Sequence, residues 1–365
     1  MGVLVLISPS PRVAVVYPIP FGEKGIFGGG ERYAFELARA LARRTPTRFV
    51  SFGSEARRTD EGPLEISIHR TLRHIRKERI NPFNLTFLAD LKSADVIHCG
   101  VWNTLATDLS VLLAKVTGRK VFVTDVGGGA SFTLVRWLPI ERWVNRFLFI
   151  AEQGSGHLLN RRDRWSILYA GIDIDRFRPA DGARREGVLF VGRLLPHKGV
   201  DVLIQAVDPG VPLRIVGRRY HDEYFALLQR LAEGKDVTFV TDATDDQIVD
   251  FYRTAAVSVL PSVNRTVYGD YTPLPELLGF TAMEAMACGT PVVVSRVGGM
   301  SEVVDDGVTG YLVPPSDPEK LRDRLRLLLG DPELARRMGG AARRRIEDLF
   351  TWDRVAQRCL EAYAL

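Results

Sequence analysis

The chain has 365 residues, which is too long for one ordinary hydrophobic core and predicts two domains. Its apolar fraction of 46% and charged fraction of 25% are typical of a folded, soluble protein. The three cysteines, Cys99, Cys288 and Cys359, have no paired spacing, so we expect neither a disulfide framework nor a zinc site. A reducing compartment, the cytoplasm, is the expected location.

The net charge of +5 favours an anionic partner, which leaves phosphate-bearing substrates, acidic lipids and nucleic acids to be distinguished. The basic residues are dispersed and form no nucleic-acid-reading motif, so a nucleic acid is not expected. No apolar stretch reaches the roughly eighteen residues needed to cross a bilayer. The opening residues lack a basic segment and a cleavage site, and we interpret them as part of the first domain.

In the first half of the chain, short apolar runs predict buried strands at 12–19, 47–53, 94–100 and 120–126. Between the first two runs, apolar residues recur at helical spacing and predict an amphipathic helix over 28–44. Alternating strands and helices are typical of α/β layers around a parallel sheet.

The second half repeats this pattern. It predicts strands at 186–192, 212–217, 236–241, 255–262, 290–295 and 310–315, with helices at 200–207, 224–233, 245–254 and 280–287. The loop 171–186, rich in Gly, Pro and charge, predicts domains at 1–178 and 179–349. Ligands of open parallel sheets bind outside the carboxyl ends of the strands, so we expect the chemistry just after strands.

Two glutamates, Glu276 and Glu284, lie eight residues apart around Gly279, and the run after Gly279 is helical. The backbone amides of Phe280, Thr281 and Ala282 are expected to point at an anion, because a helix N-terminus attracts negative charge. Eight helical residues span about 12 Å, so one carboxylate could hold sugar hydroxyls while the other holds ribose. The alternative is that both are solvated glutamates at helix ends.

A second feature follows the strand 186–192, where Arg193 and Lys198 stand in the connecting loop. Two cations at the carboxyl end of a strand would compensate the charge of a diphosphate and stabilise it as a leaving group. An isolated Arg and Lys in a loop are usually surface residues, but the nearby glutamate pair favours the functional interpretation.

These two segments resemble the retaining GT-B glycosyltransferases of family 4, also described as glycosyl transferases group 1, whose signatures are VGR…KG and Glu-x7-Glu. The similarity extends to GGGERYAFELARAL, ADVIHCG and LYAGIDIDRFRP in this chain. It continues through 297–321 and the terminal segment 350–363, so that it covers nearly the whole chain. The implied fold is α/β of the GT-B type, with two Rossmann-like domains facing across a cleft and the C-terminal helix, 350–365, crossing back to the first domain.

The resemblance implies roles for individual residues. Arg193 and Lys198 would grip the diphosphate, Glu276 and the backbone at Thr281 would contact the donor sugar and phosphate, and Glu284 would bind ribose. Further donor-binding residues would be Gly192, Gly279, Phe280 and Ala282. Arg218, which follows the strand at 212–217, could add a phosphate contact or could stand in an exposed turn. In the first domain, a glycine loop would approach the donor and the acceptor, formed by Gly28, Gly29 and Gly30.

The implied reaction moves a hexosyl unit, with retention, from a nucleotide sugar such as a UDP- or GDP-hexose. The acceptor would be a hydroxyl group of a glycan, a lipid-linked sugar or a small polar molecule. The family needs no metal and no cofactor, because the leaving phosphate itself helps to deprotonate the acceptor. Rival functions that share these features are a GT-B phosphorylase, a sugar-nucleotide epimerase or hydrolase, and a non-catalytic nucleotide-sugar-binding subunit.

Two departures from the family pattern stand out. Many members carry a His after the strand that matches 120–126, where this chain has Asp125 in the segment 124–129. That residue could replace the His as a hydrogen-bond acceptor, or it could serve only in a turn. An insertion at 264–273 precedes Pro275, and its tyrosines could line the sugar pocket or belong to a surface loop.

Two stretches mix basic and aromatic residues. The first, 70–87, is equally compatible with a solvated basic face and with a peripheral contact at the inner face of a membrane. For the second, 132–150, the same alternative exists, but we favour a core helix under the sheet.

Overall fold

The computed structural model describes residues 10–19, 29–125, 132–134, 137–153, 162–180 and 182–365. Its contacts divide the chain into two compact units. The first unit comprises the chain up to Gly171 together with Trp352–Leu365, and the second comprises Ile172–Thr351. The boundary predicted at 178–179 therefore falls inside the second unit.

The first unit contains an eight-stranded sheet of order β10-β9-β8-β7-β1-β2-β4-β3, in which only the edge strand β3 runs antiparallel among the described strands. A separate two-stranded ribbon pairs β5 with β6. The strands are β1 Val13–Val16, β2 Thr47–Gly53, β3 Arg57–Glu61, β4 Leu64–Arg70, β5 Arg73–His74, β6 Pro82–Phe83, β7 Val96–Cys99, β8 Lys120–Asp125, β9 Arg146–Phe149 and β10 Trp165–Ile167.

The central strand β1 is buried along its whole length, as expected for a parallel strand covered on both faces. Three helices of this unit are α1 Gly29–Ala42, α2 Phe87–Leu91 and α3 Leu105–Thr117. Helix α1 buries Tyr33, Leu37 and Leu41 on one side, which confirms the predicted amphipathic helix.

The core helix predicted over 132–150 is wrong. A 3-10 turn, Ile140–Trp143, leads instead into strand β9, where Phe147 and Phe149 are both buried. The side chain of Asn145 accepts a hydrogen bond from the Val121 N–H at 2.8 Å and sets this strand beside β8. The two aromatic residues are separated by two positions, which is the period of a strand and not that of a helix.

The second unit contains a six-stranded parallel sheet of order β13-β12-β11-β14-β15-β16. This is the doubly wound order, and the direction of winding reverses between β11 and β14. All six predicted strands are confirmed with ends shifted by a few residues. They are β11 Glu186–Val191, β12 Leu213–Val216, β13 Val237–Val240, β14 Ala255–Leu260, β15 Val292–Ser295 and β16 Gly310–Val313.

Helices of the second unit have ends that their sequences specify. Helix α6 begins at a capping box in which Thr244 and Gln247 satisfy each other's backbone N–H groups. Aspartate caps, each followed by a proline, begin both α9 and α10. The helices are α4 Val200–Ala206, α5 Asp222–Leu231, α6 Asp245–Thr254, α7 Phe280–Ala287, α8 Met300–Val303, α9 Pro318–Gly330 and α10 Pro332–Leu349.

The last helix, α11 Trp352–Ala364, belongs to the first unit. The Trp352 ring meets the ring of Tyr33 at a centroid distance of 5.4 Å, and the Lys120 ammonium donates to the Tyr363 carbonyl at 2.8 Å. The Tyr363 hydroxyl also contacts Nδ1 of the fully buried His98 in the sheet. The prediction that the C-terminal helix returns to the first domain is confirmed. Among the described helices, none is long and apolar enough to span a bilayer.

Candidate active site in the second unit

The loops that follow β11 and β14 start from the point at which the sheet reverses its winding. Loops diverge there, which leaves room for a ligand. Backbone hydrogen bonds join these loops to their neighbours: Leu194 N–H donates to the Arg218 carbonyl at 3.0 Å, and Val263 N–H donates to the His197 carbonyl at 2.9 Å. The Gly192 N–H donates to the Val216 carbonyl at 2.9 Å. The loops that carry the predicted basic residues are therefore tied together.

The loop bearing Lys198 is pressed against the end of β14. Gly199 has a φ of +65°, and a Cβ at this position would lie 2.1 Å from the Pro261 carbonyl oxygen. Only glycine combines this conformation with this approach. The glycine ends the 3-10 turn Pro196–Lys198 and directs the Lys198 ammonium to Oε1 of Glu276.

Glu276 is held from three directions. Its Oε1 accepts both the Lys198 ammonium and the Ser262 hydroxyl, the latter at 2.7 Å, and its side chain is only 9% exposed. Its backbone packs closely against Gly298, which has a φ of +51° and whose absent Cβ would lie 1.7 Å from the Glu276 carbonyl oxygen. A buried carboxylate with these partners is oriented before any ligand arrives.

Gly279 is the N-cap residue of helix α7 and adopts the left-handed conformation with a φ of +66°. The Ala282 N–H donates to the Gly279 carbonyl at 2.9 Å, so the expectation that this amide points at an anion is wrong. The turn uses it internally, as tightened helix ends do. The predicted anion contact is thereby limited to the amides of Phe280 and Thr281.

Glu284 lies within α7, and its Oε2 accepts a hydrogen bond from the hydroxyl of the fully buried Tyr252 at 3.0 Å. Glu276 lies before the first helical residue, Phe280. The axial distance calculated for eight helical residues therefore does not apply to this pair of carboxylates. The two glutamates nevertheless have different partners, Lys198 for one and Tyr252 for the other.

Arg193 and Arg218 are exposed residues in the loops after β11 and β12. Within the part of the chain that the structure describes, neither guanidinium forms an ion pair. Burial lowers the pKa of His197, and the charges of Lys198 and then Arg193 lower it further, against the opposing effect of Glu276. The His197 imidazole is therefore neutral at pH 7, and the positive charge of this loop comes from Arg193 and Lys198.

The site residues predicted in the first unit are described only in part. Gly29 and Gly30 form the start of α1, whereas Gly28 lies outside the described residues. Asp125 is the last residue of β8, and its side chain also lies outside the description. Their predicted contacts with the donor and the acceptor stay predictions.

Sequence reasoning missed Ser262, Gly298 and Tyr252. Ser262 is the last residue of the strand predicted at 255–262 and so carried a usable signal. Gly298 lies in the VGG segment of the family pattern, where a glycine pair indicates close backbone approach. Tyr252 had no signal, because its contact with Glu284 depends on how α6 packs against α7.

The insertion 264–273 forms a hydrogen-bonded hairpin. Its two arms are joined by the Thr272 N–H, which donates to the Asn264 carbonyl at 2.7 Å. The Tyr268 ring stacks on His221 at a centroid distance of 5.8 Å and also meets Tyr224 of α5. The hairpin, which lies in the chain between Ser262 and Glu276, thus packs against the start of α5. Its contact with sugar stays a prediction.

The three cysteines are free and buried, and burial raises the pKa of each thiol to about 12. In the described ranges, no group of three or more His, Cys, Asp or Glu side chains could hold a metal ion. The predicted independence from metal stays a prediction.

A doubly wound parallel sheet with a lysine and an oriented carboxylate at its reversal point has the features of a nucleotide-binding Rossmann-like unit. The family described as glycosyl transferases group 1 matches residues 172–345. A D-inositol 3-phosphate glycosyltransferase of Kribbella flavida is 32% identical over 312 residues, which cover 74% of this chain and 70% of that protein. The chain belongs to the glycosyl transferases group 1 family.

Solved structures share the fold. Sucrose-phosphate synthase from Thermosynechococcus elongatus has a TM-score of 0.74 at 23% identity, covering 97% of this chain and 98% of that one. Anabaena HepE in complex with UDP and glucose has a TM-score of 0.71 at 18% identity, covering 97% and 99%. These similarities confirm the predicted GT-B class. Matches to three relatives from Streptomyces and Nocardia span 47%, 60% and 48% of their lengths.

Proposed function

We propose that this chain is a retaining glycosyltransferase that moves a hexosyl unit from a nucleotide-diphosphate sugar to a hydroxyl acceptor without a metal. The observation that carries this proposal is the cluster of Lys198, Glu276 and Ser262 at the reversal point of the second sheet. It combines a cation for a leaving phosphate with a carboxylate for sugar hydroxyls.

The diphosphate would lie between Arg193, Lys198 and the first turn of α7. Two side-chain cations and the amides of Phe280 and Thr281 would stabilise the charge that develops as the bond to the sugar breaks. Lys198 contacts Glu276 in the structure, so a bound diphosphate would share this ammonium with the carboxylate. The lysine would then couple the sugar end of the donor to its phosphate end.

The two glutamates would serve opposite ends of the donor. Glu276, oriented by Ser262 and Lys198, would accept hydrogen bonds from sugar hydroxyls. Glu284, oriented by Tyr252, would accept hydrogen bonds from ribose hydroxyls. Carboxylates held before binding lose little conformational entropy when the ligand arrives, which favours affinity.

In the proposed reaction the bond between the anomeric carbon and the phosphate oxygen breaks, and the acceptor oxygen bonds to the same face of that carbon. The proton of the acceptor hydroxyl passes to the leaving phosphate oxygen. This route needs no nucleophile from the protein, so the lysine and glutamates act by binding and charge stabilisation.

For the donor we propose a UDP- or GDP-hexose, and UDP is supported by the HepE complex. For the acceptor, the relative from Kribbella flavida is named for inositol 3-phosphate, which supports a small phosphorylated polyol within the proposed class of polar acceptors. Glycans and lipid-linked sugars are the other acceptors to be tested.

A screen over UDP-, GDP- and ADP-sugars, read by thermal unfolding, tests the donor class, because a ligand that binds the folded state raises the melting temperature. Transfer to inositol phosphate, glycans and lipid-linked sugars is then followed by NMR in excess EDTA. Retention of anomeric configuration is expected. Phosphate dependence would indicate a phosphorylase, hydrolysis without an acceptor a hydrolase, and binding without turnover a non-catalytic subunit.

A further inference from the structure

A groove in the second unit lies near the amino ends of its strands, away from the candidate active site. It is lined at β11 by Glu186 and Gly187, and before β15 by Pro291. Its volume of about 640 Å³ lies within the range of small-molecule pockets. The wall formed where α9 meets α10 is apolar and consists of Leu328, Leu329, Pro332 and Ala335.

Positive charge at the groove comes from α10, which carries five arginines, at positions 336, 337, 343, 344 and 345. Three of them are engaged elsewhere. Arg337 lies 3.7 Å from Glu333, and Arg343 donates to the Phe177 carbonyl at 2.6 Å. Arg345 donates to the carbonyl of Val303, the last residue of α8, at 2.7 Å.

The remaining two, Arg336 and Arg344, both line the groove and are exposed. Within the described part of the chain, neither forms an ion pair or a hydrogen bond through its side chain. They stand two helical turns apart with Gly340 between them, on one face of α10. Their guanidinium groups are therefore available to a ligand.

Gly340 leaves the middle of this face open. Nη1 of Arg344 lies 3.7 Å from the position that a Cβ on Gly340 would take, so this side chain folds back over the glycine toward Arg336. The two Cα atoms are about 12 Å apart along the helix, which two arginine side chains can span from both ends. One anion above Gly340 could thus meet both.

Two other charged groups at the groove, Arg185 and Glu186, already have partners. Arg185 donates to the Cys288 carbonyl at 2.7 Å and serves the fold. The carboxylate of Glu186 pairs with Arg184 at 3.7 Å. The groove therefore combines an apolar wall with two guanidinium groups, those of Arg336 and Arg344, that have no partner among the described residues.

We propose that this groove binds one acyl chain of an anionic lipid, with the phosphate headgroup between Arg336 and Arg344 and the chain along Leu328 and Ala335. Arginine matches phosphate through parallel charge-assisted hydrogen bonds, and the apolar wall takes up the chain. The site is separate from the donor-binding cluster, and it would hold the protein at an anionic membrane surface.

The test uses the full chain and dodecyl phosphate below its critical micelle concentration, titrated by calorimetry. Inorganic phosphate and dodecyl maltoside supply the headgroup charge and the chain separately. Dodecyl phosphate is expected to bind at least about tenfold more tightly than either. Equal affinity for phosphate alone, or for the neutral detergent, would overturn the proposal.

Variants locate the site. Gly340→Leu fills the groove without a backbone clash, and Arg336→Gln combined with Arg344→Gln removes both charges. Each is expected to weaken dodecyl phosphate binding about tenfold or more, whereas Arg337→Gln, on the same helix but paired with Glu333, leaves it unchanged. Thermal unfolding verifies the fold of each variant. Unchanged binding in Gly340→Leu would place the lipid elsewhere.

Sedimentation with vesicles tests whether the lipid is bound from a membrane. The protein is expected to sediment with phosphatidylglycerol vesicles and not with phosphatidylcholine vesicles, and Gly340→Leu should reduce the bound fraction. Sedimentation that the substitution leaves unaltered would contradict a lipid site in this groove.

Discussion

Lys198 and Glu276 form an ion pair whose carboxylate oxygen also accepts the Ser262 hydroxyl. The cation proposed to bind the donor diphosphate is thus already neutralised by the carboxylate proposed to bind the sugar. Two charges that are this poorly exposed depend on each other, because removing one leaves the other without compensation. The pair connects the stability of the second unit with its proposed chemistry.

Lys198→Met and Glu276→Gln are each expected to lower the free energy of unfolding of the second unit, because each leaves its partner without its counter-charge. The double variant should lose less than the sum of the two, with a coupling of about 1 to 3 kcal/mol. Urea unfolding of the four proteins measures this coupling. Strictly additive losses would show that the pair contributes nothing as a pair.

The two glutamates should separate in their kinetics. Glu276→Gln is expected to lower kcat by about ten- to a hundredfold while nucleoside diphosphate binding is kept or strengthened, because Lys198 no longer shares its charge. Glu284→Gln should instead weaken binding of the free nucleoside diphosphate about tenfold, through the lost ribose contact. Calorimetry and steady-state kinetics test both. If the two variants behave alike, the division between sugar and ribose is wrong.

Arg193→Ala is expected to weaken binding of the nucleoside diphosphate by about 1.5 to 3 kcal/mol, because a charge-assisted contact is lost. The fold should be unaffected, since the side chain is exposed. Arg184→Ala is the control, because Arg184 is also exposed and precedes β11, at the end of that strand opposite to Arg193. Equal affinity in Arg193→Ala and the control would remove Arg193 from the site.

Gly298→Ala tests how the backbone of Glu276 is positioned. The new Cβ would lie 1.7 Å from the Glu276 carbonyl oxygen, so the segment must move, and kcat is expected to fall at least about tenfold. Gly307→Ala is the control, because Gly307 also has a positive φ, +80°, but nothing lies within 4 Å of its Cβ position. It should cost about 1 to 2 kcal/mol of stability through backbone strain alone, with kcat unchanged. Similar kcat values for both variants would contradict the positioning role.

His98 predicts a pH dependence of stability. Burial lowers its pKa from 6.5 to about 3, so below pH 6.5 the unfolded chain binds a proton that the folded chain does not. Stability should therefore fall as the pH drops from 6.5, by about 1.4 kcal/mol per pH unit from this residue. His98→Gln keeps a donor and an acceptor for Tyr363 and Thr124 but cannot titrate. Its unfolding free energy should decline less between pH 7 and pH 5, and parallel curves would refute this origin.

The six strands of the second unit and its helices α4 to α7 were predictable from sequence because their information is local, whereas α8, α9 and α10 were not among the predicted helices. Apolar runs of strand length, glycines at turns and helical periodicity determined its six strands and the start of α7. The exposed, charged strand Arg57–Glu61 escaped prediction, because an edge strand with no buried face lacks an apolar signal. The segment 132–150 was misassigned because short apolar runs suit a helix and a strand equally.

The types of residue needed at the candidate site were likewise evident from their positions after strands. Their partners were decided by tertiary structure alone. Lys198 and Glu276 are 78 residues apart in the chain, and they meet because β11 and β14 are neighbours in the sheet. Tyr252 reaches Glu284 across two packed helices, and α11 returns to His98 through Tyr363. Periodicity along a chain specifies which face of an element is buried, whereas the pairing of distant side chains depends on the order of strands and the packing of helices.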